Sequence, residues 1–290
     1  MGKDIKAGVI GLGAMGAPMA RHLANAGLLN MVWNRTTSKA EMLAEETGTV
    51  AAGHPAQLAA GCNLILTCVS ADQDLLDVIG QLLPGVTPAS VVVDTSTVSP
   101  VTARQVSDSL GEAGAGFVDA PVSGGVEGAK KGTLSVMAGG DSANISRIMP
   151  VLDAISASVT HMGPVGSGQA TKAVNQVIIA GIAEAVCEAL ALGEKLNLPS
   201  ERLLSVVGAG AANSWFLGHR GKTMLENRFD VGFKLSLLLK DLLICQALAQ
   251  DLDISMPTVE AAINDYRTLV ELGDGDHDIS GLIRLKRGQD

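Results

Sequence analysis

The chain has 290 residues, 47% hydrophobic but only 2% aromatic, which suits one large or two ordinary α/β domains packed with Ala, Val, Leu and Gly. A formal charge of −9 without runs of like charge argues against nucleic acid or a membrane surface as partner. The 34 glycines follow no fixed period, which excludes a collagen-like or low-complexity chain.

Strands are predicted at Ala7–Ile10, Met31–Trp33, Leu64–Cys68, Val91–Asp94, Phe117–Asp119, Leu134–Met137 and Ser158–His161. Helix-length segments separate the first four, so the pattern is βαβ and the sheet mostly parallel. Ser38 and Glu41 have capping-box spacing, Ser99-Pro100 reads as a cap followed by a first-turn proline, and Gly27 and Gly114 stand where helices should stop. After the run Gly163–Gly168 no strand is convincing. A long helix is predicted from Gln169 to Leu196, then helices near Ser200–Val207, Leu235–Gln250 and Pro257–Leu272. The expected architecture is a doubly wound α/β Rossmann domain over residues 1–164 and an all-α domain over residues 165–290, opened by the long interdomain helix. The apolar stretch Val174–Leu192 contains Glu184 and Glu188, so it reads as a buried helix and not a membrane span.

Gly11-Leu12-Gly13-Ala14-Met15-Gly16 matches G-x-G-x-x-G directly after a strand and opens a helix. The first glycine permits a tight turn and the second lets backbone approach a pyrophosphate. The third lets helix and strand pack closely. An acidic residue at the end of the second strand would select NAD(H) by bonding the ribose hydroxyls. Here Asn34-Arg35-Thr36 stands in that place, and a guanidinium can fork onto a 2′-phosphate. NADP(H) is therefore the preferred cofactor, with NAD(H) possible.

Cys62, Cys68, Cys187 and Cys245 form no C-x-x-C pair and read as buried thiols of a reduced cytosol. No signal-peptide pattern stands near Met1, so a cytoplasmic location is expected. The five histidines show no metal spacing, and no metal is expected. His277 among Asp274, Asp276 and Asp278 reads as a solvated acidic loop.

Five ordered blocks carry a family resemblance over nearly the whole chain. They are the Gly11–Ala20 segment, Asp94-Thr-Ser-Thr-Val-Ser-Pro100, and Asp119-Ala-Pro-Val-Ser-Gly-Gly125 with Gly132-Thr-Leu134. The last two are Gly166-Ser-Gly-Gln-Ala-Thr-Lys-Ala-Val-Asn175 and Phe233-Lys-Leu-Ser-Leu-Leu-Leu-Lys-Asp241. Together they resemble the β-hydroxyacid dehydrogenase family, which includes 3-hydroxyisobutyrate dehydrogenase, tartronate semialdehyde (2-hydroxy-3-oxopropionate) reductase and the glyoxylate/succinic semialdehyde reductases. The resemblance implies a helical domain that contributes to oligomerisation, as a homodimer or homotetramer, and a small carboxylate substrate.

It also implies that Lys172 is the catalytic acid/base and that Asn175 helps hold the substrate. The residues bear their own reading, since the two are three apart and share a helix face. A lysine that points inward from an apolar helix is desolvated, which favours its neutral form. Ser123, Gly124 and Gly125 resemble the loop that receives the substrate carboxylate. Thr97 is implied to lie beside the nicotinamide, Lys240 to reach the cofactor, and Phe233 to pack near the same cleft. Val69 and Ser70 follow a strand end, where open α/β sheets bind ligands, although many relatives have Leu-Pro there. Gln176 stands where many relatives carry a second Asn. Trp215 and Phe216 fit either a pocket wall or the core.

The Ser123–Ala129 segment resembles the hydroxyisobutyrate and tartronate semialdehyde branch, whereas the Asn34-Arg35 pair is common among the glyoxylate/succinic semialdehyde reductases. Relatives that act on 6-phosphogluconate have longer helical domains, and imine reductases lack the lysine. A nucleotide-binding interaction scaffold is the non-enzymatic alternative, and Lys172, Asn175 and Ser123 speak against it.

Overall fold

A computed structural model describes residues 5–230 and 232–288. In chain order the first elements are β1 (Ala7–Ile10), α1 (Gly16–Asn25), β2 (Leu29–Trp33), α2 (Thr37–Thr47), β3 (Val50–Ala51) and α3 (Pro55–Gly61). They are followed by β4 (Leu64–Thr67), α4 (Asp72–Leu82), β5 (Val91–Asp94), α5 (Pro100–Glu112), β6 (Gly116–Asp119) and β7 (Val122–Ser123). Next come α6 (Gly125–Lys131), β8 (Leu134–Gly140), α7 (Ser142–Ile155) and β9 (Ser156–Gly163). Helices α8 (Ser167–Lys195), α9 (Ser200–Gly208), α10 (Trp215–Leu225), α11 (Leu235–Asp251) and α12 (Pro257–Glu271) complete the main elements.

The strands form one sheet in the order β3-β2-β1-β4-β5-β6-β8-β7, with β9 beside β8. Pairing is parallel from β3 to β6 and antiparallel where β8 meets β6 and β7. Strands β1, β4 and β5 are buried on both faces, which is why they read as unbroken apolar runs. Alternate residues serve opposite faces. Val9, Leu66 and Val93 pack with Met19 and Leu23 of α1 and Leu152 of α7, while Ile10, Ile65 and Val92 pack with Leu58 of α3, Leu75 of α4 and Val106 of α5. The sheet is doubly wound, as expected.

By contacts the chain divides into two compact units, residues 1–172 and 173–290, a division that falls inside α8. The reason is local. The first turns of α8 are tied to the sheet by the Asp119 carboxylate, which accepts N–H bonds from Gly166 (2.8 Å) and Gln169 (2.9 Å). By length and hydropathy alone α8 is long and apolar enough to cross a membrane. Half of that apolar window is buried within the protein.

The second unit has its own core, built from Ala183 and Cys187 of α8, Phe216, Leu238 and Leu242 of α11, and Tyr266 of α12. Helix α10 was not expected, because Gly218 and Gly221 weaken its pattern. Gly221 packs closely, since a Cβ there would come within 2.6 Å of Leu204 Cδ2 and the leucine would have to shift. Strands β3 and β7 span two residues each, too short for alternation to show. Ser99 caps α5 by accepting from Thr102 N–H. The capping box at Ser38 does not form, because α2 starts at Thr37, one residue too early for Ser38 to be its cap.

Candidate active site

Parallel strands deliver their C-terminal ends to one edge of the first unit, and most of the candidate residues collect there. Gly11 has φ +90, and a Cβ on it would strike the Cys68 carbonyl oxygen; one on Gly16 would strike the Gly11 carbonyl oxygen. A Cβ on Gly13 would meet nothing within 4 Å. Two glycines are thus fixed by packing, and the middle one borders open space where a ligand can reach the backbone. Helix α1 has no side-chain cap and no acidic residue in its first turn, so side chains leave its N-terminal N–H groups to an anion. These features fit a dinucleotide pyrophosphate held by Gly11, Leu12, Gly13, Ala14, Met15 and Gly16.

Asn34 has a structural task that the sequence did not reveal. Its Oδ1 accepts from Leu12 N–H at 2.9 Å, and its Nδ2 donates to the Thr36 carbonyl at 3.1 Å, so it braces the glycine turn against the end of β2. Arg35 is highly exposed but engaged, with Nη1 3.1 Å from Asp74 Oδ1. The end of β2 carries no carboxylate of its own. Helix α4 supplies one from 39 residues away, a distance that motif reading does not span.

The turns after β4 and β5 are joined by hydrogen bonds. Ser96 Oγ accepts from Val69 N–H at 2.8 Å and donates to Asp94 Oδ1 at 2.6 Å, and the same Oδ1 receives Thr67 Oγ1 at 2.7 Å. Ser70 follows Val69 directly. Thr97 lies between two residues bonded to the Gln169 amide: Nε2 donates to the Ser96 carbonyl (2.8 Å) and Oε1 accepts from Val98 N–H (3.2 Å). Burial pushes the Asp119 carboxyl up to about 6, even though the N–H groups of Gly166 and Gln169 pull it down.

Lys172 sits one helical turn beyond Gln169. It is buried, and its Nζ donates to the Val122 carbonyl at 3.0 Å, placing the amine beside Ser123. Gly124 (φ +125) and Gly125 (φ +61) take backbone conformations closed to ordinary side chains, which turns β7 into α6. Glu127 overhangs this turn, with Oε2 3.7 Å from where a Gly125 Cβ would stand.

The second unit assembles a separate polar cluster. Asn175 Nδ2 donates to Gln176 Oε1 (2.8 Å), Gln176 Nε2 donates to Asp241 Oδ2 (2.7 Å), and Lys240 Nζ lies 2.9 Å from Asp241 Oδ1. Gln176 therefore orients Asn175, and Lys240 pairs with its neighbour. Phe233 is held through its N–H to Asp278 Oδ2 at 3.0 Å, and Asp278 also pairs with the buried Arg220 at 3.2 Å. The two neighbouring aromatics part company: Phe216 is core, while Trp215 is half exposed, stacks on His219 and lies under the Arg220 guanidinium. Around His277 the acidic residues are paired: Asp274 with His277 and Arg284, Asp276 with Lys234, and Asp278 with Arg220. Among the described residues no group of three metal-ligating side chains occurs.

Two family profiles match consecutive parts of the chain. Residues 6–163 match the NAD-binding domain of 6-phosphogluconate dehydrogenase, and residues 166–286 match the NAD-binding domain of NADP-dependent 3-hydroxyisobutyrate dehydrogenase. An uncharacterized oxidoreductase from Shewanella frigidimarina is 37% identical, over 98% of this chain and 99% of its own. The 2-hydroxy-3-oxopropionate reductase of Escherichia coli is 34% identical, over 97% of this chain and 96% of its own. Among solved structures, Mycobacterium tuberculosis 3-hydroxyisobutyrate dehydrogenase with L-serine superposes with a TM-score of 0.88 at 28% identity, over 98% and 99% of the two chains. Matched by these profiles and relatives over nearly its whole length, the chain is an NAD(P)-binding oxidoreductase of the β-hydroxyacid dehydrogenase family.

Proposed function

We propose that the protein interconverts a small carboxylate-bearing aldehyde and its hydroxyacid, preferring NADP(H), with Lys172 moving the proton on the substrate oxygen. The observation that carries this reading is the Lys172 amine, buried and donating to the Val122 carbonyl at 3.0 Å, next to the Ser123–Gly125 turn. An amine there has a proton to give and lies beside a glycine turn suited to an anion. The Ser123 hydroxyl and the N–H groups of the turn bind the substrate carboxylate, which orients the carbonyl toward Lys172. A bound nicotinamide supplies or takes the hydride. Asn175, oriented by Gln176, makes a further polar contact with substrate, and Phe233 supplies an apolar one.

Val69, Ser70, Thr97 and Lys240 are assigned to the cofactor. Arg35 and Thr36 are assigned to the 2′-phosphate, for which Arg35 leaves Asp74. Asn34 braces the glycine turn, so its presence says nothing about which aldehyde is used. The tartronate semialdehyde and 3-hydroxyisobutyrate type is favoured on the resemblance of Ser123–Ala129, with the glyoxylate/succinic semialdehyde type as the second reading. The working unit is a cytoplasmic homodimer or homotetramer.

NADPH oxidation with a panel of short aldehydo-acids tests activity and substrate together. Lys172→Ala is expected to lower kcat by at least about 10²-fold, the usual contribution of a positioned acid/base. Lys172→Arg is expected to fail almost as badly, because guanidinium keeps its proton near neutral pH. Near-normal kcat in Lys172→Arg across the pH range would remove proton transfer from this residue.

A further inference from the structure

We propose that Gln169 is a positioning residue of the reaction, whose buried amide fixes the Thr97 turn against the first turns of the helix that carries Lys172. Its Nε2 donates to the Ser96 carbonyl and its Oε1 accepts from Val98 N–H, so one side chain grips both peptide groups that flank Thr97. Its own N–H is held by Asp119 Oδ2 at 2.9 Å, and Lys172 stands three residues on, on the same helix face. Gln169 is 1% exposed and Ser96 3%, so water does not substitute for these bonds.

The demand on the side chain is unusual. One end must donate and the other must accept, which a glutamine or a protonated glutamate can do and an ionised glutamate cannot. Through Ser96 Oγ the same turn is tied to Val69 N–H and Asp94. The cofactor-side turns and the helix bearing the proton donor are thereby held as one piece. The inference rests on the roles given to Lys172 and Thr97 above.

Its test compares wild type with Gln169→Leu, Gln169→Glu, Lys172→Ala and the Gln169→Leu/Lys172→Ala double variant. The readouts are kcat, KM, NADPH affinity by fluorescence, and hydrogen exchange at the Val98 amide in cofactor-free protein. Gln169→Leu is expected to lower kcat at least about tenfold and to speed exchange at Val98, while NADPH affinity moves less than about twofold. In the Lys172→Ala background the same change is expected to add almost nothing to the loss, because coupled residues are not additive.

Gln169→Glu is expected to work near wild-type rate at about pH 5.5 and to lose about tenfold as pH rises and its carboxyl ionises. The charged groups around it are Asp94 on β5, Asp119 on β6, Asp72 of α4, Arg104 of α5 near Gly166, and Lys172 itself. Wild type measured in the same buffers accounts for their titration. Unchanged kcat in Gln169→Leu, full additivity in the double variant, or a Gln169→Glu loss with no recovery in acid each overturns the proposal. If Gln169→Leu does not fold, the acid recovery of Gln169→Glu decides. A Lys172→Ala loss without any Gln169 effect overturns only this inference, whereas an active Lys172→Ala overturns the reading beneath it.

Discussion

The two polar clusters are built by opposite means. In the α/β unit the Gln169 network is assembled from strand ends, so topology alone brings Val69, Ser96, Asp119 and the glycine turn to one edge. In the helical unit, Gln176 and Asp241 lie 65 residues apart and meet because α8 and α11 pack over a shared apolar core. The first arrangement ties side chains to backbone groups beside glycines with no room for a side chain, and the second ties side chain to side chain. Damage to the first should therefore appear in folding and geometry together, and damage to the second chiefly in one contact.

The glycine turn offers the strongest test of that difference. Gly11→Ala must displace the Cys68 backbone and hold a side chain at φ +90, so a destabilisation of about 3–5 kcal/mol is expected in denaturant unfolding. Gly13→Ala borders open space and is expected to fold normally yet lose NADPH affinity at least about tenfold. Equal unfolding midpoints for the two variants would break the distinction between packing glycine and ligand glycine.

A smaller effect is expected at Asp119. Its native carboxyl titrates at about 6, above an unfolded value near 3.8, so the folded state holds the proton more tightly. The contribution to stability is therefore fully present below about pH 4 and is lost as pH rises through about 6, by about 3 kcal/mol. Asp119→Asn stays neutral and should lack this slope. Its unfolding midpoint, relative to wild type, should rise between pH 4 and 6. Parallel curves would show that the N–H bonds from Gly166 and Gln169 offset burial.

In the helical unit, Asp241→Ala removes the acceptor of Gln176 and the partner of Lys240. Lys240 is partly exposed and can turn to water, so the cost is expected to be about 1–3 kcal/mol. KM for the aldehydo-acid should rise as Asn175 loses its support, with little change in kcat. A fall in kcat alone would move this cluster from substrate holding to chemistry. The smallest expected effect belongs to the exposed Arg35–Asp74 pair. Asp74→Asn frees Arg35 and is expected to tighten NADP(H) by no more than about fivefold while leaving NAD(H) unchanged, since exposed pairs contribute about 0.2–1 kcal/mol. Binding of 2′,5′-ADP against 5′-AMP reads this without turnover.

These differences also explain what could be read from the sequence. Strands β1 and β5 were legible to the residue, because doubly buried parallel strands leave unbroken β-branched runs. The tight turn between β1 and α1 was legible because its glycine pattern is local to a motif. Asp74, Asn34 as a brace, and the Gln169 amide were not, since each acts through a partner more than 20 residues away. Gln169 and Asp119 both lay inside noticed blocks, and only the fold shows that they bond each other. Helix α10 was hidden by the glycines that let it pack against α9.

The cysteines described at the outset have a practical consequence. Burial pushes the Cys62 and Cys68 thiols up to about 11 and raises Cys187 further, while Cys245 is buried and donates to the Ala173 carbonyl. The thiolate is the reactive form, and a raised thiol pKa keeps it scarce at neutral pH. Maleimides and iodoacetamide should therefore pass the native protein by. A single cysteine introduced on the surface could carry a fluorophore or spin label without first removing the four that nature placed there.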